Sequence, residues 1–455
     1  MATYEMIKRF VMSNFVKNAH INHLKPYFTL RTLCTGFFFL LVYLGVPFSI
    51  SDAENLALDD TDVSRILSSV KNIANEDSDT RELSVLDSAV HRFIQRQGVV
   101  GASVGIVKDG QLVYAKGFGH ADVDEQEAVA PHHQFRIGSL SKLITTVAVM
   151  KLREEGKLSL DDKVFGEGGI LRSSLYQDIK DKRAYDITVE HLLSHTAGWS
   201  KRTYGDPMFI PLKIAEEMNT PAPADLNTII RFVLSKPIPY QPGTRYDYSN
   251  FGFCLLGKVI EAVSGETYER YVQNQLLAPL SIYGMQLAKN RPEDRFEDEV
   301  RYYDLSPNNI RPSIYGTGEV VPNTYSFNVE ALSAAGGWVA TPTDLLRFLV
   351  AVDGLKSAPD ILTNESLLAM IEPAGGRPYG WRGASIGGTW WRTGTLAGTS
   401  ALMKRFENGI SWVVLMNTSN RRSKYFNSQF SNMLQNELAQ LNEWPDRDLF
   451  ASTYY

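Results

Sequence analysis

The chain has 455 residues, of which 44% are hydrophobic and 21% are charged, and its formal net charge is −5 at pH 7. This length suits one large or two ordinary domains with a substantial core, and the composition excludes a disordered chain. Because dense basic clusters are absent outside the N-terminal segment, we expect no nucleic-acid partner. The two cysteines and eight histidines form no zinc or redox spacing, so neither a metal nor another cofactor is expected.

The N-terminal segment is basic and then apolar. Residues 1–32 contain five basic residues against one acid, and residues 33–51 are uncharged and rich in Phe and Leu. A basic flank before such a run is typical of an export signal or a single anchor. We therefore predict that residues 1–51 are a signal peptide or membrane anchor, with 33–51 as the candidate membrane tether. The globular part is then exported, either periplasmic or held outside the cytoplasm on the membrane.

Composition divides the remainder into three parts. Residues 52–82 are rich in acidic and small polar residues, which predicts a flexible acidic linker. The folded domain is predicted over residues 83–440, with a mainly helical region at about 160–330. Residues 441–455 are predicted to form a C-terminal tail.

The first predicted elements are a helix and a hairpin. Apolar residues recur at helical spacing from Leu83 and stop at Gly98. Two β-prone runs follow at residues 102–107 and 111–118, and Asp109-Gly110 between them favours a tight turn.

The next helix carries a hydroxyl and an amine. Apolar residues repeat at helical spacing up to Gly156, and Ser139 is placed at the start of this helix, with Lys142 three residues later. Residues three apart on a helix are roughly 5–6 Å apart at Cβ, so the Lys142 amine can reach the Ser139 hydroxyl. The pair is a nucleophile with a candidate base. The motif alone is weak evidence, because Ser68 and Lys71 have the same spacing.

Strand patterns return near the C-terminal end. Residues 385–393, 399–405 and 410–416 are β-prone, with a turn between the last two. Strands at both chain ends with helices between them predict an α+β fold. Its antiparallel sheet is built from both chain ends and flanked by helices, and the helical region forms a second part.

Two further stretches carry polar groups suited to a cleft. Tyr248 and Asn250 lie two residues apart before an apolar helix, so both side chains can face one cleft. Arg392-Thr393-Gly394-Thr395 lies on a late strand, where the glycine permits close approach of a substrate and the guanidinium offers a fork for a carboxylate. We interpret His195, in Ser194-His195-Thr196, as a hydrogen-bonded structural residue.

In this order and at these separations, the three stretches resemble the serine β-lactamase and penicillin-binding protein family. The resemblance is greatest to the class C β-lactamase-like and D-alanyl-D-alanine carboxypeptidase branch. Residues 101–104, 187–196 and 335–338 also match the pattern of that branch, so the likeness spans about residues 85–420. The family fold agrees with the α+β fold predicted independently from the strand and helix patterns.

The resemblance implies catalytic roles for three residues. Ser139 is the acylated nucleophile, and Lys142 with Tyr248 forms the proton-transfer network. A serine hydroxyl needs a neighbouring base, and a lysine serves as one only when its pKa falls from about 10.4 towards 7–8. Nearby positive charge instead favours Tyr248 as phenolate, so either residue is a candidate for the base.

The resemblance also implies substrate-binding roles. Asn250 holds the substrate amide and the lysine, and the backbone N–H groups of Ser139 and Thr395 form an oxyanion hole. Arg392 and Thr393 receive a substrate carboxylate, beside Gly394. Members of the branch usually carry Lys or His in place of Arg392. Because arginine stays charged and passes no proton, deacylation is expected to be slow or the preferred substrate different.

The expected function is that of an exported serine hydrolase. It would form an acyl-enzyme with a small-molecule or peptide substrate: a D-alanyl peptide such as cell-wall peptide, a β-lactam or an ester. One alternative is a carboxylesterase of the same fold. The other is a protein that binds penicillin or peptidoglycan without turnover.

Overall fold

The computed structural model describes residues 73–176, 178–306, 308–373, 376–419 and 425–452. The predicted signal or anchor and most of the predicted linker lie outside these residues and stay predictions. Within the described ranges, no helix combines the length and the apolar character needed to cross a bilayer.

The helices are concentrated in the middle of the chain. They are α1 (Ser84–Gln97), α2 (Ser141–Glu154), α3 (Val189–Leu193), α4 (Lys201–Tyr204), α5 (Pro211–Glu217), α6 (Leu226–Leu234), α7 (Asn250–Ser264), α8 (Tyr268–Val272), α9 (Val329–Gly336), α10 (Pro342–Val350), α11 (Asn364–Ile371), α12 (Phe426–Leu438) and α13 (Leu449–Ser452).

The main strands come from the two ends of the chain. The strands are β1 (Gly101–Lys108), β2 (Gln111–Asp122), β3 (Glu127–Ala128), β4 (Phe135–Arg136), β5 (Gln286–Leu287), β6 (Tyr303–Asp304), β7 (Ile310–Pro312), β8 (Val320–Pro322), β9 (Trp338–Ala340), β10 (Trp390–Leu396), β11 (Thr399–Arg405), β12 (Ile410–Met416) and β13 (Thr418–Ser419). The largest sheet has the order β10-β11-β12-β1-β2-β3, and its neighbours are antiparallel. The α+β fold predicted from the sequence is confirmed.

Both faces of the sheet are covered, which explains the nearly continuous apolar runs of its strands. On β1, Val104 and Ile106 pack into a core shared with α1 and α12. On the opposite face, a Cβ at Gly105 would lie 2.6 Å from Leu346 of α10. The hairpin between β1 and β2 turns as predicted, because Asp109 and Gly110 both have positive φ, 51° and 85°.

Three predicted boundaries differ from the structure. Residues 73–82 pack on the sheet, since the buried Ser78 hydroxyl donates to the Ala115 carbonyl at 2.7 Å. The C-terminal segment also packs on β2, where Arg447 Nε donates to Val113 O and the Asp448 carboxylate accepts from Leu112 N, both at 3.0 Å. Polar contacts hold both segments against the sheet. Hydrophobic periodicity therefore does not predict that these segments are part of the folded domain.

The third difference concerns β10. This strand begins at Trp390, five residues later than predicted, and continues past the predicted end to Leu396. With these bounds, Arg392, Thr393, Gly394 and Thr395 lie within the strand rather than at its end. All four backbones therefore lie along the edge of the sheet, because β10 is the outermost strand.

Candidate active site

Ser139 lies just ahead of the buried central helix. Gly138–Leu140 form a short 3₁₀ turn and α2 begins at Ser141, so the prediction that Ser139 starts the helix is off by one short turn. Gly138 has φ 52°, which lets the chain reverse from β4 into this turn. Lys142 follows in the first turn of α2 and is fully buried.

Tyr248 lies on the side of the site that the helical region forms. Ser249 caps α7 by accepting a hydrogen bond from Gly252 N at 2.9 Å, so Tyr248 and Asn250 stand on either side of this cap. The Tyr248 hydroxyl lies 2.7 Å from Ser139 Oγ. The structure thus joins the predicted nucleophile to the predicted phenol across 109 residues of chain.

Three acceptors surround the Lys142 amine. Its Nζ donates to Asn250 Oδ1 at 2.8 Å and to the Ala335 carbonyl at 2.5 Å, and it lies 3.4 Å from Ser139 Oγ. Asn250 in turn donates from Nδ2 to the Asp206 carboxylate at 2.7 Å. Because a carboxylate only accepts, Asp206 fixes the amide orientation that presents Oδ1 to the lysine.

Sequence reasoning missed both Asp206 and the Ala335 carbonyl. Asp206 belongs to a loop in which neither periodicity nor a motif stands out. The carbonyl is exposed by a break in α9, where Ser333 has φ 28° and ψ −110°. The break lets Ala334 O accept from Thr145 and Ala335 O accept from Lys142. A positive φ at a serine has no sequence signature, although the family-like stretch 335–338 marks the right region.

Arg392 points inward from β10. Its Nε donates to the Ser139 carbonyl at 2.9 Å, and one terminal nitrogen donates to the Tyr248 hydroxyl at 3.1 Å. The guanidinium is buried, whereas Thr393 is half-buried and Thr395 is exposed. The arginine therefore contacts the nucleophile's own backbone and the phenol.

The outer edge of β10 faces the turn that carries Ser139. Trp391 N donates to Gly383 O at 2.8 Å, on the side of β10 that faces away from β11. Because the directions along a strand alternate with a period of two residues, the N–H of Thr395, four residues later, points to the same side. A Cβ at Gly138 would lie 3.1 Å from Thr395 N, and one at Gly394 would lie 3.1 Å from Ser139 N. The two backbone N–H groups predicted for the oxyanion hole thus belong to adjoining chain segments.

The charges of the site act on one another. Burial lowers the pKa of Lys142, and the Arg392 charge lowers it further. Burial raises the pKa of Tyr248, but the charges of Lys142 and Arg392 outweigh this and hold it at about 8. Burial also lowers the pKa of Arg392. The phenol is therefore unusually easy to ionise in this structure.

A groove extends the cleft beyond Thr395. Its walls are mixed: Phe209 and Phe327, whose ring centroids lie 6.0 Å apart, and Leu396 on β10 are apolar, whereas Lys213 and Arg311 are charged. Among the described residues, no group of His, Cys, Asp and Glu side chains is arranged to hold a metal ion.

The fold and this cleft define a β-lactamase-fold hydrolase. The beta-lactamase family model matches residues 86–428, which is most of the chain. The chain therefore belongs to the beta-lactamase family, and the resemblance to serine β-lactamases and penicillin-binding proteins is confirmed.

Individual relatives support this assignment. A putative penicillin-binding protein, PbpX of Bacillus subtilis strain 168, is 24% identical over 336 residues, which is 74% of each chain. Protein flp of Staphylococcus aureus strain MRSA252 is 28% identical over 218 residues, 48% of this chain and 40% of flp. The match thus spans less than half of the length of flp.

Solved structures share the architecture. The octameric penicillin-binding protein homologue from Pyrococcus abyssi has a TM-score of 0.59 at 28% identity, with 78% of this chain and 77% of that chain covered. D-Amino acid amidase from Ochrobactrum anthropi SV3, complexed with L-phenylalanine amide, has a TM-score of 0.61 at 21% identity, with 79% and 100% covered. At that identity the amidase supports the fold alone.

Proposed function

We propose that this protein is a serine hydrolase in which Ser139 forms an acyl-enzyme. The observation that carries the proposal is the 2.7 Å contact between Ser139 Oγ and the Tyr248 hydroxyl, with Lys142 and Arg392 beside it. An activated serine hydroxyl next to two cations and a pair of adjoining backbone N–H groups is suited to acyl transfer.

In the proposed acylation, Ser139 Oγ attacks the substrate carbonyl carbon as its proton passes to Tyr248. The carbonyl oxygen becomes negatively charged and accepts hydrogen bonds from the N–H groups of Ser139 and Thr395. When the bond to the leaving group breaks, that group takes the proton back from Tyr248. Water then repeats the sequence on the acyl-enzyme, which releases the acid and restores the serine.

The distances favour Tyr248 over Lys142 as the base, because Ser139 Oγ lies 2.7 Å from the Tyr248 hydroxyl and 3.4 Å from Lys142 Nζ. Lys142 donates to Asn250 Oδ1 and to the Ala335 carbonyl, both of which only accept. Arg392 only donates, so the Tyr248 oxygen accepts from it. A charged lysine with an ionised phenol satisfies all of these contacts, and the Ser139 proton then lies on the short contact to Tyr248.

The surroundings suggest how substrate would lie. Two nitrogens of the Arg392 guanidinium donate to Ser139 O and to the Tyr248 hydroxyl. We propose that the remaining N–H groups of this guanidinium, together with Thr393, bind a substrate carboxylate. The groove past Thr395, with its mixed apolar and polar walls, is proposed to hold the acyl group. The substrates to compare are D-alanyl peptides, including cell-wall peptide, β-lactams and esters.

We expect a fluorescent penicillin or an acyl phosphonate to label Ser139 stoichiometrically, as located by mass spectrometry of the digested protein. Ser139→Ala should abolish the adduct because the nucleophile is lost. Ser159→Ala removes an exposed serine after the same helix and should label like the unaltered protein. Labelling of a different residue, or equal labelling of Ser139→Ala, would refute the proposal.

A second candidate, a protein that is acylated but hardly turns over, rests on Arg392. The arginine occupies the contact to Tyr248 and cannot relay a proton to or from water. If this candidate is right, the acyl-enzyme persists in the unaltered protein and Arg392→His accelerates its hydrolysis. Rapid multiple turnover of a p-nitrophenyl ester, a chromogenic cephalosporin or a D-Ala-D-Ala peptide excludes it, and the preferred compound separates an esterase from a peptidase.

A further inference from the structure

We infer that His195 is a positioning residue that fixes Tyr248 by holding the backbone on both sides of it. The inference rests on the catalytic role proposed above for Tyr248. The His195 carbonyl accepts a hydrogen bond from Asp247 N at 2.9 Å, and its ring Nδ1 accepts one from Ser249 N at 3.2 Å. One residue therefore binds the chain immediately before and immediately after the phenol.

The His195 ring also packs on the phenol itself. Its centroid lies 4.5 Å from that of Tyr248, 5.0 Å from Phe253 and 5.7 Å from Tyr246. Backbone conformation sets this placement, because His195 has φ 59°, a left-handed value that few side chains adopt. The turn after α3 thereby directs the carbonyl and the ring of the same residue at one short segment.

The histidine must be neutral to do this. An imidazolium carries a proton on both nitrogens, so Nδ1 would no longer accept from Ser249 N. Burial lowers the pKa of His195 well below its usual value, and the charges of Lys142 on α2, Arg392 on β10 and Lys201 on α4 lower it further. The same cations that favour the phenolate of Tyr248 thus keep its supporting histidine uncharged.

Two variants separate the effect of the Nδ1 acceptor of His195 from the effect of its left-handed backbone conformation. His195→Gly and His195→Asn both tolerate the left-handed φ, but only asparagine offers an acceptor near the position of Nδ1. We expect His195→Gly to slow acylation of Ser139 by about 10- to 100-fold, because small displacements of catalytic groups have effects of this size. We expect His195→Asn to recover at least about 5-fold of that loss, the worth of one hydrogen bond.

A second readout does not depend on activity. An ultraviolet titration of tyrosinate, taken as the difference between each protein and its Tyr248→Phe form, reports the pKa of Tyr248 alone. We expect the midpoint to rise in His195→Gly, because a displaced phenol leaves Arg392 and Lys142, and to return towards the original value in His195→Asn. If unaltered protein is not labelled at Ser139, the proposed hydrolase fails, yet this titration still tests the positioning.

His191→Ala is the matched control. His191 Nδ1 also accepts a backbone N–H at 3.2 Å, from Thr188, but outside the site. We expect this variant to leave both readouts unchanged. An unaltered acylation rate and tyrosinate midpoint in folded His195→Gly would overturn the inference, and so would a His195→Asn variant no better than His195→Gly.

Discussion

Tyr248→Phe should slow acylation of Ser139 by about 10²- to 10⁴-fold, the range typical for loss of a general base. The change removes one oxygen and keeps the ring, so the 2.7 Å contact to Ser139 Oγ disappears while packing on His195 remains. Only the 3.4 Å contact to Lys142 is then left to take the serine proton. The measurement is the rate at which an acyl phosphonate labels Ser139, followed by mass spectrometry.

The pH dependence of that rate identifies the base. The pKa of Tyr248 is about 8, so the phenolate fraction grows as the pH rises through this value. Acylation of the unaltered protein should therefore increase with pH and level off above a midpoint near 8. Tyr248→Phe should lose this step, because no phenol remains to ionise.

Tyr246→Phe provides the control for these measurements. Tyr246 lies two residues earlier, is 39% exposed, and packs edge-on against His195. Its loss of a hydroxyl should leave the midpoint in place. A midpoint near 8 that persists in Tyr248→Phe would instead assign the ionisation to Lys142, and a full acylation rate in that variant would exclude Tyr248 as the base.

Gly394→Ala should lower the acylation rate by about 10²-fold or more, the loss typical when oxyanion stabilisation is removed. A Cβ at Gly394 would lie 2.0 Å from the Ile137 carbonyl oxygen and 3.1 Å from Ser139 N. Both are backbone atoms, so β10 and the Ser139 turn must move apart. That movement separates the N–H groups of Ser139 and Thr395, and it should also destabilise the fold by about 1–3 kcal/mol.

Gly336→Ala is the matched control, because Gly336 faces the other side of the turn that carries Ser139. Its Cβ would lie 3.6 Å or more from the Gly138 backbone, an ordinary van der Waals contact. We expect this variant to unfold at the original temperature and to acylate at the original rate. Thermal unfolding measured beside the labelling rate separates a moved site from an unfolded protein. If Gly394→Ala acylates as fast as the unaltered protein, the close contact with the Ile137 carbonyl is not the reason why residue 394 is a glycine.

The sequence alone predicted the parts of this protein that depend on local pattern. Helical periodicity placed Lys142 one turn beyond Ser139, and alternating or continuous apolar runs located β11 and β12 at their observed bounds. Tyr248, just before α7, and Asn250, its first residue, were identified by their spacing and by family resemblance. Each of these signals lies within a few residues of chain, where side-chain spacing follows directly from helix or strand geometry.

The tertiary structure decided which of these groups meet and in what arrangement. Ser139 and Arg392 are 253 residues apart, and only the packing of β10 against the Ser139 turn turns the guanidinium towards the phenol rather than towards solvent. Asp206 and the Ala335 carbonyl were missed for the same reason, and His195 was identified as a hydrogen-bonded residue without its partners Asp247 and Ser249. Their roles depend on loop conformation and positive φ angles, which arise from long-range packing and leave no periodic pattern in the sequence.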